Sequence, residues 1–353
     1  MDPTLSIQQN VQLASLTTFR IGGPARYFIE IRTESELTAS IAFAREHKLD
    51  LFVLGGGSNL LISDAGFNGL VLHMALNEPI RFARTGETIE STVAAGVEWD
   101  ALVRAASEQG ISGIECMAGI PGSVGGTPVQ NVGAYGQEVS ATIAKVRALD
   151  LETNQFVELT SAQCGFTYRS SIFNTTHRDR YIITAVTFRF DPCAKPALAY
   201  KDLARHFGDA EPTPMEVYHA VREIRSRKGM LLVEGEPDCQ SAGSFFKNPV
   251  VDGLTLQNIA GRLNMEVDKI PSWPAENGRV KLPAAWLLEQ AGYTKGFALG
   301  NVGISSRHAL ALINRGGATA AEIITLRDRI RADVSRLFGI TLQQEPVQVP
   351  PAT

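Results

Sequence analysis

Runs of apolar residues, separated by turn residues, divide the N-terminal part of the chain into short strands and one helix. These runs predict strands at 27–32, 51–54, 60–63 and 70–74. Thr33 and Glu36 form a Thr-x-x-Glu capping box, which predicts a helix from here to about His47. A glycine-rich stretch, 55–59, follows the second strand directly, so this α/β unit carries a loop at a strand end.

The next part of the chain combines one helix with longer β-rich stretches. The helix is predicted over 98–109, with Gly110 as the residue that ends it. Strands are predicted at 88–95, 145–151, 156–159 and 181–190. A long glycine-rich segment, 119–136, lies between the helix and the later strands.

A third part is mainly helical. Thr213 and Glu216 form a second capping box, and Pro214 takes the first helical position. The helix that they begin is predicted to continue to about Lys228. Further helices are predicted at 254–263, 283–290 and 319–338, then a strand at 340–344 and a frayed tail at 350–353. The pattern as a whole predicts an α+β or α/β fold with three lobes.

Length and composition exclude several classes of protein. A chain of 353 residues is too long for one ordinary core, so two or three domains are expected. The formal net charge of −4 favours neither a nucleic acid nor an anionic membrane as partner. No apolar run is long enough to cross a bilayer, and the N-terminus lacks the basic and apolar regions of a secretory signal.

The cysteines and histidines favour reduced thiols over metal ligation. The four cysteines are scattered and form no Cys-x-x-Cys pair, which is more typical of a cytoplasmic protein than of a disulfide framework or a zinc site. The six histidines are isolated from one another and form no His-Glu-x-x-His motif. We therefore expect a cytoplasmic protein without a metal site.

Residues 55–59 (GGGSN) are the first of two candidate phosphate-binding loops. Successive backbone N–H groups in such a loop can surround a diphosphate. The loop does not open a helix as Gly-x-Gly-x-x-Gly, and no Gly-Lys-Ser/Thr follows it, so it matches neither the dinucleotide fingerprint nor a Walker loop. Taken alone, it is explained equally well as a structural turn.

The second loop, 119–136, is long and irregular, and such segments in compact domains are usually functional or disordered. Apolar residues along it argue against disorder: Ile120, Val124, Val129, Val132 and Tyr135. Two such loops in neighbouring lobes match the needs of an extended cofactor that contains a diphosphate. The residues by themselves therefore predict a nucleotide cofactor, but not which one.

A third segment, 241–249 (SAGSFFKNP), places a serine on a turn of small residues. Small residues let a backbone approach a ligand closely, and Ser244 on such a turn can present its hydroxyl to a reacting atom. The commoner situation is a loop serine that bonds to a nearby backbone group. From this segment alone, both interpretations stay open.

Together these segments resemble the UDP-N-acetylenolpyruvoylglucosamine reductases, flavoenzymes that make UDP-N-acetylmuramate for the bacterial cell wall. The resemblance is carried, in chain order, by 18–25 (TFRIGGPA), 55–60 (GGGSNL), 119–126 (GIPGSVGG), 130–136 (QNVGAYG) and 241–249. It covers the chain from about Thr18 to Pro346.

The resemblance implies an α+β, three-lobed flavoprotein, with a vanillyl-alcohol-oxidase (PCMH)-type FAD-binding fold and a C-terminal α+β substrate domain. We expect FAD-binding lobes at 1–78 and 79–212 and the substrate domain at 213–339, with the C-terminal strand, about 340–349, returning to the first lobe. FAD would be bound non-covalently. The expected contacts are Gly55, Gly56, Gly57, Ser58, Asn59, Leu60, Pro121, Gly122, Ser123, Gly125, Gly126, Asn131, Gly133, Ala134, Tyr135 and Arg225.

The implied reaction is the reduction of an enolpyruvyl ether, with NADPH as the hydride donor. Ser244 matches the family's proton donor. Arg169 matches the arginine that binds the substrate carboxylate and supports the enolate, since a planar, permanently charged fork can bind a carboxylate through two bonds. An ordinary salt bridge is the alternative for Arg169, and the family often has aspartate where this chain has Ser170.

Glu345 matches the family's C-terminal catalytic glutamate. It would either orient the arginine or, if protonated, donate to the forming enolate. Without the resemblance, it would be interpreted as a solvated glutamate at a strand end.

Four further residues match the family's substrate contacts. Tyr200 matches the tyrosine that closes over the substrate in the longer, type I members, and Lys228 matches a lysine that binds the substrate diphosphate. Asn248 and Gln290 align with other substrate contacts. The basic cluster around Lys228 is otherwise explained as a solvated helix face.

Two other classes are alternatives. Other PCMH-type flavin oxidoreductases often attach the flavin to a histidine near the first glycine loop, and this loop has none. A catalytically inactive nucleotide-binding module is the second alternative, and the presence of Arg169, Ser244 and Glu345 together argues against it. The expected partners are small molecules, NADPH and a UDP-sugar, with no obligate protein partner.

Overall fold

The structure is a computed structural model that describes residues 5–233 and 235–349. Residues 1–4 and the predicted frayed tail at 350–353 lie outside the described residues. Within the described ranges, no helix has both the length and the apolar character needed to pass through a bilayer.

A four-stranded sheet forms the first layer. Its strands, in spatial order, are Gln8–Gln12, Pro24–Ile31, Phe67–Met74 and Leu51–Leu54. The last three are parallel to one another, whereas the first pairs antiparallel to its neighbour. The helix Glu34–Glu46 begins at the predicted capping box, because Thr33 and Glu36 each bond to the other's backbone N–H. Leu37 and Ile41 of this helix are buried against the sheet.

A five-stranded antiparallel sheet forms the second layer. Its strands, in spatial order, are Gln155–Thr160, Ile143–Asp150, Tyr181–Phe190, Thr88–Ala94 and Ala83–Thr85. Its core is shared by the helices Trp99–Glu108, Lys201–Phe207 and Pro214–Arg227. The last of these begins at the predicted capping box, with Pro214 in its first turn. This helix shares the core of the second sheet through Val217 and Val221. The predicted domain bounds stay predictions.

The C-terminal part has its own core. Its helices are Gly253–Leu263, Ala284–Gln290 and Ala320–Phe338. One small sheet contains Val250–Val251, Val280–Lys281 and Trp273–Pro274, and another contains Ala298–Leu299, Val302–Ile304 and Leu312–Asn314. The core includes Phe245 and Phe246, together with Phe19 and Leu61 from the N-terminal part. Short 3₁₀ turns lie at Ala14–Leu16, Glu115–Met117, Val124–Gly126, Val139–Ala141, Ile172–Asn174, Pro237–Cys239, Val267–Lys269 and Glu276–Gly278.

Two short strand pairs complete the fold. Gly133–Ala134 pairs with Gln137–Glu138, and Val347–Val349 pairs in parallel with Leu60–Ile62. The predicted strand at 340–344 is wrong, since Gln344 forms only an isolated bridge with Phe246. The alternating apolar side chains of this segment are nevertheless buried, since Ile340 and Leu342 both lie in the core.

Candidate active site

A cavity of about 1030 Å³ is lined by both glycine-rich loops, by the segment 241–248 and by residues of the C-terminal part. It contains most of the residues that were predicted to be functional. Its wall has two unlike regions, one formed mainly by backbone and the other mainly by side chains. The backbone wall consists of 55–60 and 121–136, and the side-chain wall consists of the remaining lining residues.

The two glycine loops of the backbone wall lie directly against each other. A Cβ atom on Gly56 would lie 2.6 Å from the Cα of Gly122, so Gly56 leaves no room for a side chain. Gly57 has a φ of +63°, and a Cβ atom there would lie 1.9 Å from the carbonyl oxygen of Leu16. Glycine is required at both positions because of this close approach.

Fourteen of the sixteen predicted cofactor contacts line the cavity. They are Gly55, Gly56, Gly57, Ser58, Asn59, Leu60, Pro121, Gly122, Ser123, Gly126, Gly133, Ala134, Tyr135 and Arg225. Gly125 and Asn131 are not among the lining residues. A Cβ atom on Gly125 would lie 2.6 Å from the Ala95 side chain, so this glycine permits close packing. Asn131 is buried, and its amide donates to Glu138 Oε2 at 2.9 Å and to the Thr167 carbonyl at 3.0 Å.

Three polar groups at the cavity wall are buried without a hydrogen-bond partner among the described residues. They are the Ser123 hydroxyl, the Nε of Arg169 and the Nε of Arg225. The Arg225 side chain is held by a 2.8 Å bond from Nη2 to the Met230 carbonyl, and burial lowers its pKa. A buried guanidinium that keeps a free donor at a cavity fits an anionic or strongly polar ligand.

These observations test whether the backbone wall fits FAD. It has no space for a side chain at Gly56 and Gly57, and it carries the unpaired Ser123 hydroxyl. The Arg225 guanidinium lines the same cavity from the side-chain wall. An extended cofactor with a central diphosphate needs close backbone approach and donors of this kind. The residues present therefore fit such a group.

Arg169 and Glu345 form an ion pair at the cavity. Arg169 has a φ of +54°, in the turn that places Thr167 opposite Ser170. Its Nη2 donates to the Gly133 carbonyl at 2.7 Å, and its Nε lies 3.3 Å from Glu345 Oε1 without the alignment of a hydrogen bond. Both side chains are largely buried, with exposed fractions of 22% and 15%.

The pKa of Glu345 is raised, because burial disfavours the carboxylate more than Arg169 and Lys247 favour it. The carboxyl group therefore holds a proton more readily than an exposed glutamate does. Its position is fixed by a 2.9 Å bond from its own backbone N–H to the Phe245 carbonyl. This bond also brings Glu345 next to the segment that carries Ser244.

Ser244 precedes an anchored residue, Phe245, and contacts the side chain of His308. Phe245, which is fully buried, donates its backbone N–H to the Leu310 carbonyl at 2.8 Å. The Ser244 hydroxyl lies 3.0 Å from Nε2 of His308. Ser244, Arg169 and Glu345 thus line one cavity, although they are far apart in the sequence.

Three of the four predicted substrate contacts also line this cavity. The ring of Tyr200 meets that of Tyr135 edge-on, with 5.1 Å between centroids. Lys228 is paired with Asp202, in the helix that follows Tyr200. Asn248 accepts a 2.9 Å bond from the Ala284 N–H.

Gln290 is the exception among the predicted substrate contacts. It is exposed at the end of the helix Ala284–Gln290 and does not line the cavity, whereas Glu289 does.

Sequence reasoning missed His308 and the basic residues Lys247, Lys295 and Arg307, all of which line the cavity. Burial, together with the charges of Lys228, Lys295 and Arg225, lowers the pKa of His308 to about 4. A single histidine after the strand Val302–Ile304 carries no local signal. The histidines were interpreted only as possible metal ligands or flavin attachment points, and His308 has neither position.

Two family models match segments of the chain that line this cavity. A family model described as "FAD binding domain" matches residues 25–160. A second model, "UDP-N-acetylenolpyruvoylglucosamine reductase, C-terminal domain", matches residues 236–349. The fold and the cavity therefore define an FAD-containing oxidoreductase.

Whole-chain comparisons identify the family. The chain is 43% identical to the UDP-N-acetylenolpyruvoylglucosamine reductase of Thermobifida fusca, over 98% of this chain and 99% of that protein. It is 43% identical to the reductase of the same name from Streptomyces coelicolor, over 96% and 88%. The chain belongs to the UDP-N-acetylenolpyruvoylglucosamine reductase family.

A solved structure supports the same assignment. The crystal structure of the reductase from Thermus caldophilus superposes with a TM-score of 0.65 at 25% identity, and covers 98% of this chain and 99% of that one. The resemblance to the family, the α+β flavoprotein fold and the expectation of an FAD-containing enzyme are thereby confirmed.

Proposed function

We propose that the chain catalyses the NADPH-dependent reduction of the enolpyruvyl ether of UDP-N-acetylglucosamine to UDP-N-acetylmuramate, a step of peptidoglycan precursor synthesis. The observation that carries the proposal is the presence of Arg169, Ser244 and Glu345 in one cavity with the two glycine loops. FAD, when bound along the backbone wall, supplies hydride transfer from the nicotinamide to the terminal alkene carbon.

Arg169 is proposed to bind the substrate carboxylate. When hydride reaches the alkene, negative charge develops next to that carboxylate, and positioned donors stabilise it. The guanidinium is held in place by the Gly133 carbonyl and by the charge of Glu345, so it does not have to reorganise during the reaction. Arg169 therefore stabilises the enolate as well as the bound substrate.

Ser244 is proposed to deliver the proton to the carbon next to the carboxylate. A hydroxyl is a weak acid, but an enolate-like carbanion is a strong enough base to accept its proton. Glu345 has two possible roles in this scheme. As a carboxylate it orients Arg169, and as the acid favoured by its raised pKa it donates a hydrogen bond to the enolate.

Tyr200, Lys228 and Asn248 are proposed to bind the rest of the substrate. Lys228 must exchange Asp202 for the substrate diphosphate, and the exposed Tyr200 beside it is free to close over the ligand. Gln290 joins this set only if substrate binding moves the end of its helix. Lys295 and Arg307, both in the lining, are additional cations for an anionic substrate.

The proposal places this reaction in the cytoplasm, with NADPH and the UDP-sugar as the partners. All four cysteines are free thiols, and three of them are buried, which suits a reducing compartment. The preference for NADPH over NADH is taken from the family.

The experiment that tests the proposal is anaerobic stopped-flow spectroscopy of the purified holoenzyme at the flavin absorbance. NADPH is added first and should bleach the flavin. The enolpyruvyl UDP-sugar is added next and should restore the absorbance rapidly. Bleaching without recovery would point to another flavin oxidoreductase with a different acceptor. A protein that cannot be loaded with FAD would instead be an inactive module.

A further inference from the structure

His308 is a cavity residue that the proposed reaction does not yet use. Its Nε2 lies 3.0 Å from the Ser244 hydroxyl oxygen, so one of these two groups donates a hydrogen bond to the other. The histidine is itself fixed, because its backbone N–H donates to the Ser305 hydroxyl at 3.1 Å and Ser305 is fully buried. The contact between His308 Nε2 and the Ser244 hydroxyl therefore determines where the serine proton points.

The direction of the bond follows from the charge of the imidazole. Burial and the nearby cations Lys228, Lys295 and Arg225 keep His308 neutral near pH 7, with its pKa at about 4. A neutral imidazole has one N–H and one lone pair. If the lone pair were on Nε2, this atom would accept a hydrogen bond from the Ser244 hydroxyl and hold the proton away from the substrate. The imidazole would still be too weak a base to deprotonate the serine.

We propose that His308 is a positioning residue for Ser244, in which the Nε2–H group donates to the serine oxygen and leaves the serine proton free for the substrate. The inference rests on the proposed function and deepens it. In the proton transfer, the Ser244 O–H bond breaks as a C–H bond forms on the substrate. The electron pair stays on the serine oxygen, where the Nε2–H group stabilises it until water returns a proton.

Two substitutions of similar size separate this role from a packing role. In His308→Gln the amide nitrogen can occupy roughly the position of Nε2, so a donor to Ser244 is retained. In His308→Asn the amide lies near the position of Nδ1 and is too short to reach the hydroxyl. Both variants remove the ring and differ from each other by one methylene, so they share most of any packing defect.

The kinetic test compares the two half-reactions of each variant by stopped-flow spectroscopy. A hydrogen bond to a charged group is worth about 1.5–3 kcal/mol, so His308→Asn should slow flavin reoxidation by the enolpyruvyl substrate by about 10- to 100-fold. Bleaching by NADPH and FAD content should stay unchanged, and His308→Gln should recover most of the lost rate. Equal slowing in both variants, or equal slowing of both half-reactions, would overturn the proposal.

A spectroscopic test needs no turnover. Two-bond ¹H–¹⁵N NMR correlations distinguish the imidazole tautomers, and the signals lost in His308→Gln identify His308. The Nε2–H pattern is expected, and an Nδ1–H pattern in the wild-type holoenzyme would overturn the proposal whatever the kinetics. If wild-type flavin is not reoxidised by the substrate, the proposed function fails and the role of His308 fails with it, even with the expected tautomer.

Discussion

The backbone wall and the side-chain wall of the cavity are built in different ways. The backbone wall consists mainly of glycines and small residues whose value lies in missing side chains, as at Gly56 and Gly57. The side-chain wall presents charged groups from distant segments, such as Arg169 and Glu345. The first wall tolerates no added atoms at Gly56 and Gly57, whereas the second depends on which group faces which. Substitutions should therefore fail differently in the two walls.

The largest effect is expected in the side-chain wall, at Ser244. General-acid catalysis is worth about 10²–10⁴ in rate, so Ser244→Ala should slow flavin reoxidation by the substrate by about that factor. Bleaching by NADPH requires no proton on carbon and should stay near normal. Stopped-flow traces of both half-reactions check this. Equal losses in both, with FAD bound, would assign Ser244 a structural role.

The next effect concerns the backbone wall. Gly57→Ala adds a methyl group against the Leu16 carbonyl, and should weaken FAD binding on the order of tenfold or more. Gly86→Ala is the matched control, because Gly86 has nearly the same φ, +62°, with no atom within 4 Å of the added carbon. The left-handed backbone alone should cost each variant about 1 kcal/mol of stability, and Gly57→Ala should lose more because of its contact with the Leu16 carbonyl. FAD titration should separate them, and equal FAD affinities would contradict the steric argument.

A third prediction tests the electrostatics of the side-chain wall through pH. The pKa of His308 falls from 6.5 to about 4 on folding. As the pH drops through this window, the unfolded chain binds a proton that the folded protein does not, so stability present above about 6.5 is lost towards 4. The free energy of unfolding of the apoprotein, measured with urea, should therefore fall more steeply for wild type than for His308→Gln.

The control for this titration is His219→Gln, since His219 is an exposed histidine on the helix Pro214–Arg227. It should follow the wild-type curve. Parallel curves for wild type and His308→Gln would mean that His308 is not desolvated as the structure indicates.

The smallest effect is expected at Asp202, which pairs with Lys228. Partly exposed ion pairs are worth about 0.2–1 kcal/mol, so releasing Lys228 by Asp202→Asn should lower KM for the UDP-sugar by up to about fivefold. Glu211→Gln breaks the exposed pair with Lys195, away from the cavity, and should leave KM unchanged. An unchanged KM in both variants would remove Lys228 from the proposed substrate contacts.

Local signals predicted the fold best. The capping boxes at Thr33 and Thr213 both begin helices, because a cap is a hydrogen bond between near neighbours in the chain. The strand at 340–344 failed for the converse reason. Alternation predicts which side chains are buried, but a strand also needs a partner, and only the segment Val347–Val349 finds one, at Leu60–Ile62.

The candidate site divides in the same way. The glycine loops were recognisable because a missing side chain is itself a property of the sequence. The partners of Lys228 and Ser244 were not, since Asp202 and His308 meet them only after folding. Glu345 was expected beside Arg169 only because of the resemblance to the family. For Gln290 the helix was predicted but not its rotation, which turns this side chain away from the cavity.

The sequence alone determined the helix starts, the two glycine-rich loops and the resemblance to a reductase family. Each of these depends on short motifs of residues that are close together in the chain. Tertiary structure decided that Ser244 meets His308, that Glu345 is buried beside Arg169, and that its carboxyl group is easier to protonate. Those properties depend on desolvation and on distances between segments far apart in the chain. Burial and charge proximity exist only once the chain has folded.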